Sequence, residues 1–164
     1  MCGIAGAVFF EKQNNQKKIK SIINKMCDQM HRRGPDNRSS WFDQNNNIGL
    51  GHNRLAIIDL TAKANQPMIS SCKRYVIVFN GEIYNYKNLN SEYLDRTYST
   101  DTEVLVNLHE KLNLLKIPRI LNGMFAYAIL DKKRNKINIL VDPQGEKSIY
   151  YYNDEKYFIA SSTI

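Results

Sequence analysis

The sequence predicts an α+β layered sandwich whose sheets are covered on both faces. Of its 164 residues 43% are apolar, enough for one sizeable core but not for two full domains. Residues 16–30 repeat apolar side chains at steps of three and four, the pattern of an amphipathic helix. Four strand-like runs close the chain, and several are apolar at odd and even positions alike. We therefore expect one domain over residues 1–164.

The first part of the chain predicts a strand, a helix and two further strands. Residues 3–10 form a short apolar run that is typical of a buried strand. The helix over 16–30 ends before Gly34 and Pro35, which together favour a turn. The next two strands are expected at 39–43 and 47–58.

The middle of the chain predicts a hairpin and a second helix. Asn80-Gly81 is a dipeptide favoured in two-residue type I′ hairpins, so 74–79 and 82–86 are predicted as its strands. Thr100 to Glu103 fits a capping box ahead of an apolar helical stripe. The closing runs are predicted to form an antiparallel meander, with strands at 124–130, 136–141, 148–152 and 156–161.

Charge and cysteine content exclude several classes of protein. Lys and Arg number 23 against 16 Asp and Glu, but the lysine clusters lack the interleaved aromatic residues and glycines of a nucleic-acid module. We therefore expect no nucleic-acid partner. Three cysteines without a CxxC pair predict reduced thiols, with neither a disulfide framework nor a metal site. No apolar run suits a membrane helix and no basic leader opens the chain, so we expect a cytoplasmic protein without a membrane partner.

Cys2 is the candidate nucleophile. If Met1 is removed, Cys2 carries its own α-amino group, and such an amine is partly unprotonated near neutral pH and can act as a base for the thiol. Position alone favours a plainer interpretation, in which Cys2 is a small apolar residue entering a buried strand. A Cys2–His52 dyad is the rival mechanism, although a histidine within a strand is more often a hydrogen-bonded core residue.

Four other residues have both a structural and a functional interpretation. Besides a turn, Asn80 and Gly81 supply an amide side chain and an unobstructed N–H that suit a developing oxyanion. Arg54, within an apolar stretch, needs either a structural partner or a ligand carboxylate. Asp101 lies in the capping box, where its charge favours a helix N-terminus, but it also suits a ligand ammonium. The sequence leaves these alternatives open.

Seven short segments stand out as ordered motifs along nearly the whole chain. They are Met1 to Gly6, Arg33 to Asp36, Leu50 to Ile57, Gln66 to Met68, Phe79 to Tyr86, Thr100 to Glu103 and Asn122 to Ala126. Together these motifs resemble the N-terminal glutaminase domain of glutamine-hydrolysing asparagine synthetases, a class II glutamine amidotransferase. The resemblance implies an N-terminal nucleophile hydrolase fold, which is a four-layer αββα sandwich.

The resemblance also implies a reaction. Cys2, freed of Met1, would attack the side-chain amide of L-glutamine, releasing ammonia and leaving a thioester that water hydrolyses. Asn80 and Gly81 would form the oxyanion hole.

Substrate binding is implied in the same way. Arg54 would bind the α-carboxylate of glutamine, and Asp101 with Glu82 would bind its ammonium group. Ile57 and Ile58 would line the pocket.

The departures from this family's pattern shape the remaining expectations. Val141 stands where an arginine is common, and Ser148 stands where a proline is common. The chain stops where relatives continue, so we expect a C-terminally truncated fold without the synthetase domain.

ATP and Mg would serve only that absent domain, and this chain would need no cofactor. A synthetase domain or chain would accept the ammonia and make asparagine from aspartate and ATP. The alternative is a catalytically inactive remnant that binds a partner.

Overall fold

The computed structural model describes residues 1–10, 16–43, 47–57 and 60–164. The strands within these residues are Gly3–Phe9 (β1), Asn37–Asp43 (β2), Ile48–Arg54 (β3), Met68–Ile69 (β4), Tyr75–Ile83 (β5), Gly123–Asp131 (β6), Lys136–Val141 (β7), Tyr150–Asn153 (β8) and Tyr157–Ser161 (β9). The α-helices are Gln16–Gln29 (α1), Tyr86–Tyr93 (α2), Asp101–Lys111 (α3) and Ile117–Ile120 (α4).

Two antiparallel sheets form the middle layers. One sheet has the strand order β2-β3-β1-β9-β8, and the other has the order β4-β5-β6-β7. Helix α1 packs on β1 and β3 of the five-stranded sheet, and α3 packs on β5 of the four-stranded sheet. The expected four-layer αββα sandwich is therefore present.

Alternation along β1 explains why this strand is buried on both faces. Ile4 belongs to the core between the two sheets, whereas Ala5 and Ala7 pack in the cluster around α1. Glycine in β3 lets the helix come close, because a Cβ on Gly51 would lie 2.6 Å from Cys27 Sγ. The apolar run seen in the sequence therefore serves two separate cores.

The core between the sheets is apolar over most of its length. It includes Ile4, Leu50, Val76, Val78 and Leu130. A third apolar cluster joins the opposite face of β5 and β6 to α2 and α3. No helix within the described residues is long and apolar enough to cross a membrane.

The predicted hairpin at Asn80-Gly81 is wrong. Strand β5 runs through both residues and pairs with β6 from Tyr75 opposite Asp131 to Ile83 opposite Gly123. This continuous ladder outweighs the turn preference of one dipeptide. A Cβ on Gly81 would lie 2.1 Å from the Met124 carbonyl oxygen, so the glycine permits close approach of two strands.

The predicted C-terminal meander is also wrong beyond its two hairpins. Strands β6 and β7 pair in the four-stranded sheet, whereas β8 and β9 pair in the five-stranded sheet. The chain changes sheets between Val141 and Tyr150. Strand periodicity predicts where a strand lies, but it does not specify its partner.

Several other predictions are confirmed, with shifted ends. Strand β1 and helix α1 lie where the apolar patterns place them. Helix α3 begins with the predicted capping box, in which Glu103 N donates to Thr100 Oγ1 at 3.2 Å and Thr100 N donates to Glu103 Oε2 at 3.1 Å. Strand β3 ends at Arg54, before the predicted limit, and residue 58 lies outside the described residues. Helices α2 and α4 and strand β4 were not predicted from the sequence patterns.

Candidate functional site

The layer between the sheets becomes polar at one end. Along the inner face of β3, apolar Leu50 is followed by His52 and Arg54, and along β5 the valines are followed by Asn80 and Glu82. A cavity of about 150 Å³ opens at this end. Seven of the eight predicted site residues line it: Cys2, Arg54, Ile57, Asn80, Gly81, Glu82 and Asp101. Ile58, the eighth, lies outside the described residues.

The Cys2 thiol is held at the start of β1. Leu55 N donates to Cys2 Sγ at 3.4 Å, and the thiol lies 3.7 Å from Leu55 O, which accepts from it. Arg33 Nε donates to the carbonyl oxygen of Cys2 at 3.1 Å. The half-buried sulfur is thereby fixed beside the cavity, and the backbone of Cys2 is held from its other side.

The edge of β5 presents a series of N–H groups toward the cavity. Phe79 N donates to Gln66 Oε1 at 2.6 Å, and Ile83 N donates to Asp101 Oδ2 at 3.1 Å. Because alternate residues of a strand direct their N–H groups to the same edge, the Gly81 N–H lies between these two. The side chain of Asn80, next to Gly81, is the second feature of this part of β5. Asn80 is only 2% exposed. Its Nδ2 is buried and has no acceptor among the described residues. Asn80 and Gly81 therefore supply two hydrogen-bond donors.

Arg54 is anchored at the end of β3. Its side chain is buried, and Nη1 donates at 2.8 Å to both the Thr61 carbonyl oxygen and Asn65 Oδ1. The backbone beyond it is held by Asp36, whose Oδ2 accepts from Ala56 N at 2.8 Å. These contacts fix the direction of the guanidinium at the cavity wall. Such a fixed, planar group suits a carboxylate.

Asp101 and Glu82 place two acidic side chains on the cavity wall. Asp101 Oδ1 accepts from Thr102 N at 2.7 Å while Oδ2 accepts from Ile83 N. Burial raises the pKa of Asp101, and the nearby Glu82 charge acts in the same direction, against the hydrogen bonds that lower the pKa. A cation bound between these two carboxylates would relieve their repulsion.

His52 is placed away from the thiol. It pairs with Ile4 across β1 and β3, and its Nε2 lies 3.2 Å from the Phe79 carbonyl oxygen. Burial lowers the pKa of His52 to about 4, so the ring is neutral at pH 7. Within the described residues His52 makes no hydrogen bond to Cys2 Sγ. The geometry therefore agrees with the core interpretation of His52 and not with a Cys2–His52 dyad.

Ile57 differs from the other lining residues because it is 74% exposed. Although it is among the lining residues, most of this apolar side chain faces solvent. The functional interpretation of Ile57 therefore rests on weaker geometry than that of Arg54 or Asp101.

Lys147 also lines the cavity, although it was not predicted as a site residue. It follows a turn built on Asp142, which is 2% exposed and accepts from the backbone N–H groups of Gln144, Glu146 and Lys147 at 3.0–3.1 Å. Burial would raise the pKa of Asp142, but these N–H donors and that of Phe125 hold it below its usual value. Lys147 Nζ lies 3.3 Å from Met1 Sδ. The spacing of Asp142 and Gly145, which is typical of a turn, was the signal in the sequence that could have indicated this region.

The structure adds two other residues to the site. Arg33 belongs to a motif to which the sequence analysis gave no role, and Gln66 belongs to another. Their partners lie 31 and 13 residues away along the chain. Local patterns carry no information on such contacts.

Comparisons with known proteins identify relatives over the whole chain. The model of the family described as glutamine amidotransferase domain matches residues 1–164. A putative asparagine synthetase [glutamine-hydrolyzing] 2 of Methanocaldococcus jannaschii is 40% identical, covering 100% of this chain and 34% of that protein. Asparagine synthetase [glutamine-hydrolyzing] 3 of Bacillus subtilis is 35% identical, covering 100% of this chain and 27% of that protein. The chain thus spans about a third or less of these relatives.

A solved structure has the same fold. The glutamine phosphoribosylpyrophosphate amidotransferase from B. subtilis, in complex with ADP and GMP, superposes with a TM-score of 0.72. The match covers 98% of this chain and 42% of that one, at 19% sequence identity. The arrangement of the two sheets and their helices is therefore shared between the two proteins.

Proposed function

Because the chain belongs to the glutamine amidotransferase domain family and has the N-terminal nucleophile hydrolase fold, we propose that it hydrolyses L-glutamine to glutamate and ammonia. The observation that carries this proposal is the meeting in one cavity of a thiol, a guanidinium and a buried amide nitrogen that has no acceptor among the described residues. These groups belong to Cys2, Asn80 and Arg54. A nucleophile, an oxyanion donor and a carboxylate-binding group are the parts that such a reaction requires.

The proposed reaction has two steps. Cys2 Sγ adds to the side-chain amide carbon of glutamine, and the carbonyl oxygen becomes an oxyanion that accepts from Asn80 Nδ2 and Gly81 N. The C–N bond then breaks, and ammonia leaves with the proton that the thiol gave up. Water attacks the resulting thioester, which releases glutamate and restores the thiol.

The proposed base is the α-amino group of Cys2, exposed by removal of Met1. The amine and the thiol belong to the same residue, Cys2, so no other element of the fold is needed to bring the base to the nucleophile. The burial of His52 and its contact with Phe79 O support the amine over a histidine base.

Substrate orientation is proposed to come from charge at both ends of glutamine. The guanidinium of Arg54 binds the α-carboxylate, and Asp101 with Glu82 binds the ammonium group. Both acidic residues lie on the cavity wall with Arg54, which supports a zwitterionic ligand over a singly charged one. Ile57 and Ile58 are proposed to cover the bound amino acid at the rim.

The ammonia acceptor is proposed to be an asparagine synthetase domain or chain that uses aspartate and ATP. The support is that both relatives described above are named as asparagine synthetases and are about three times longer or more. ATP and Mg are proposed to act only in that acceptor, and the glutaminase chemistry of this chain needs no cofactor. A cytoplasmic location stays a prediction.

The experiment measures glutamate release by the purified chain with Met1 removed. We expect turnover in the wild type, none in Cys2→Ala, and none when Met1 is retained or Cys2 is acetylated. His52→Gln is the matched control for the base and is expected to keep most of the activity. A folded wild type without turnover favours the inactive remnant, and loss of activity only in His52→Gln overturns the amine assignment. Val141 and Ser148, which suggested a remnant, do not line the cavity.

A further inference from the structure

Phe79, the residue just before the oxyanion donors, is held by one side chain at its N–H and by another at its carbonyl oxygen. Phe79 N donates to Gln66 Oε1 at 2.6 Å, and Phe79 O lies 3.2 Å from His52 Nε2. A carbonyl oxygen only accepts, so His52 Nε2 carries the proton in this contact. Phe79 is therefore fixed without help from a neighbouring strand on that edge.

Strand β4 is too short to bind the N–H group of Phe79. It pairs with β5 only through Met68 opposite Ile77 and Ile69 opposite Val76. Beyond Ile77 the edge of β5 continues past the end of its partner. The side-chain amide of Gln66 occupies the next position and accepts the N–H that a longer β4 would have bound.

Gln66 is itself held in place by contacts in three directions. Its side chain is 6% exposed, and Nε2 lies 3.4 Å from Thr102 Oγ1 at the start of α3. Its carbonyl oxygen accepts from Ser39 Oγ at 2.6 Å, on β2 of the other sheet. A buried and bonded amide of this kind is a stiff support for the strand edge.

We propose that Gln66 is a positioning residue, which fixes Phe79 so that Asn80 Nδ2 and Gly81 N lie where the oxyanion forms. This inference rests on the proposed glutaminase function. Oxyanion donors act in the transition state, so a displaced donor lowers kcat and leaves KM nearly unchanged. Gln66 also lines the cavity, but among the described residues it makes no hydrogen bond to the Cys2 thiol, and its proposed effect passes through Phe79.

The closing experiment compares Gln66→Met, Gln66→Glu and Ser70→Ala by steady-state glutamate release. Gln66→Met removes the acceptor at similar length, and kcat is expected to fall at least about tenfold with KM within about twofold. Gln66→Glu keeps an acceptor for Phe79 N and is expected to recover most of kcat. Ser70→Ala is the matched control, because Ser70 Oγ accepts from Tyr75 N at 3.2 Å on the same edge of β5, far from Gly81. It is expected to keep wild-type kcat.

Amide hydrogen exchange gives a readout that does not need turnover. Phe79 N is expected to exchange at least about tenfold faster in Gln66→Met than in wild type, and to be unchanged in Ser70→Ala. The proposal is overturned by unchanged exchange, by a kcat within about threefold of wild type, or by a rise in KM alone. If Gln66→Met does not fold, the shorter Gln66→Asn is judged by the same criteria. A wild type without turnover rejects the proposed function, and exchange alone then decides the role of Gln66.

Discussion

The two halves of β5 differ although they belong to one strand. In the half that contains Val76 and Val78, the inner face is apolar and the edge is paired with β4. In the half that contains Asn80 and Glu82, the inner face is polar and side chains take over the edge N–H groups. The first half resembles any strand in a sandwich core, and the second half lines the cavity.

This difference shows how a sheet can support both a core and a site. Where β4 pairs with β5, the neighbouring strand covers the edge, and at Tyr75 the N–H donates to Ser70 Oγ, so this part of the edge offers no backbone donor to a ligand. Beyond the end of β4, Gln66 and Asp101 bind the N–H groups on either side of Gly81. The early end of a neighbouring strand thus makes one backbone donor available at a fixed position.

The strongest loss of activity is expected from a substitution of Asn80, in the polar half of β5. Asn80→Ala removes a donor from the polar half and is expected to lower kcat by about 10²–10³ with KM nearly unchanged. Its stability is expected to change little, since Asn80 Nδ2 has no acceptor among the described residues to lose. Glutamate release and thermal unfolding of the same samples measure both quantities.

Val78→Ala is the matched change in the apolar half, two residues away on the same face. It is expected to reduce the free energy of unfolding by about 2 kcal/mol, since two buried methyl groups are lost and a cavity remains. Its kcat at a temperature where the protein is folded is expected to equal that of wild type. If Val78→Ala lowers kcat as much as Asn80→Ala does, the two halves are not functionally distinct.

A smaller effect is expected from the charged ends of the cavity. Arg54→Lys keeps the charge but loses the planar fork, and Asp101→Asn keeps capping ability but loses the charge. Each is expected to raise the Kd for glutamine about tenfold or more while the melting temperature changes little. Calorimetric titration of an inactive Cys2→Ala background measures the affinity without turnover.

The result that contradicts this prediction is equally clear for each residue. A variant that loses stability and keeps its glutamine affinity has a structural role only. The Nη1 contacts of Arg54 to Thr61 and Asn65, and the Asp101 contact to Ile83 N, are the structural contacts at issue.

The smallest effect at neutral pH concerns one buried histidine beside each half of β5. His109 packs on Tyr75, with ring centroids 5.9 Å apart, and His52 contacts Phe79. Burial lowers the pKa of each to about 4 in the folded state, below the ordinary value of 6.5. Between pH 4 and pH 6.5 the unfolded chain therefore binds more protons than the folded chain. The free energy of unfolding is highest above about pH 6.5 and falls as the pH is lowered toward 4.

Each histidine is expected to contribute a slope of about 1.4 kcal/mol per pH unit within that window. Denaturant unfolding at a series of pH values measures the slope. His52→Gln and His109→Gln are each expected to reduce this slope by the contribution of one histidine. Equal slopes in wild type and both variants would show that neither ring is kept neutral by the fold.

Much of this structure follows from local sequence patterns. The apolar run of β1, the stripe of α1 and the capping box at Thr100 each fix an element because the interactions involved lie within a few residues. The Asn80-Gly81 dipeptide shows the limit of this reasoning. Its turn preference is local, and pairing with β6 more than forty residues later outweighs it.

The site divides in the same way. Cys2, Arg54, Asn80 and Asp101 were identifiable because an unusual residue type stands in a telling local context. Arg33 and Gln66 belong to motifs that gave them no role, and Lys147 belongs to none. Their place at the site comes from partners that the fold brings near. Similarly, the sequence could not show that β8 and β9 join the sheet of β1.

The pairing of β1 with β9 has a consequence for the order in which the chain matures. Cys2 directly precedes β1, and β1 pairs with residues such as Ala160, opposite Gly6, which are synthesised about 150 residues later. Contacts between such distant residues slow folding. A nascent chain that lacks β9 therefore carries Cys2 on an incomplete sheet. We expect the proposed glutamine cleavage, and with it the release of ammonia, to begin only after β9 has been synthesised.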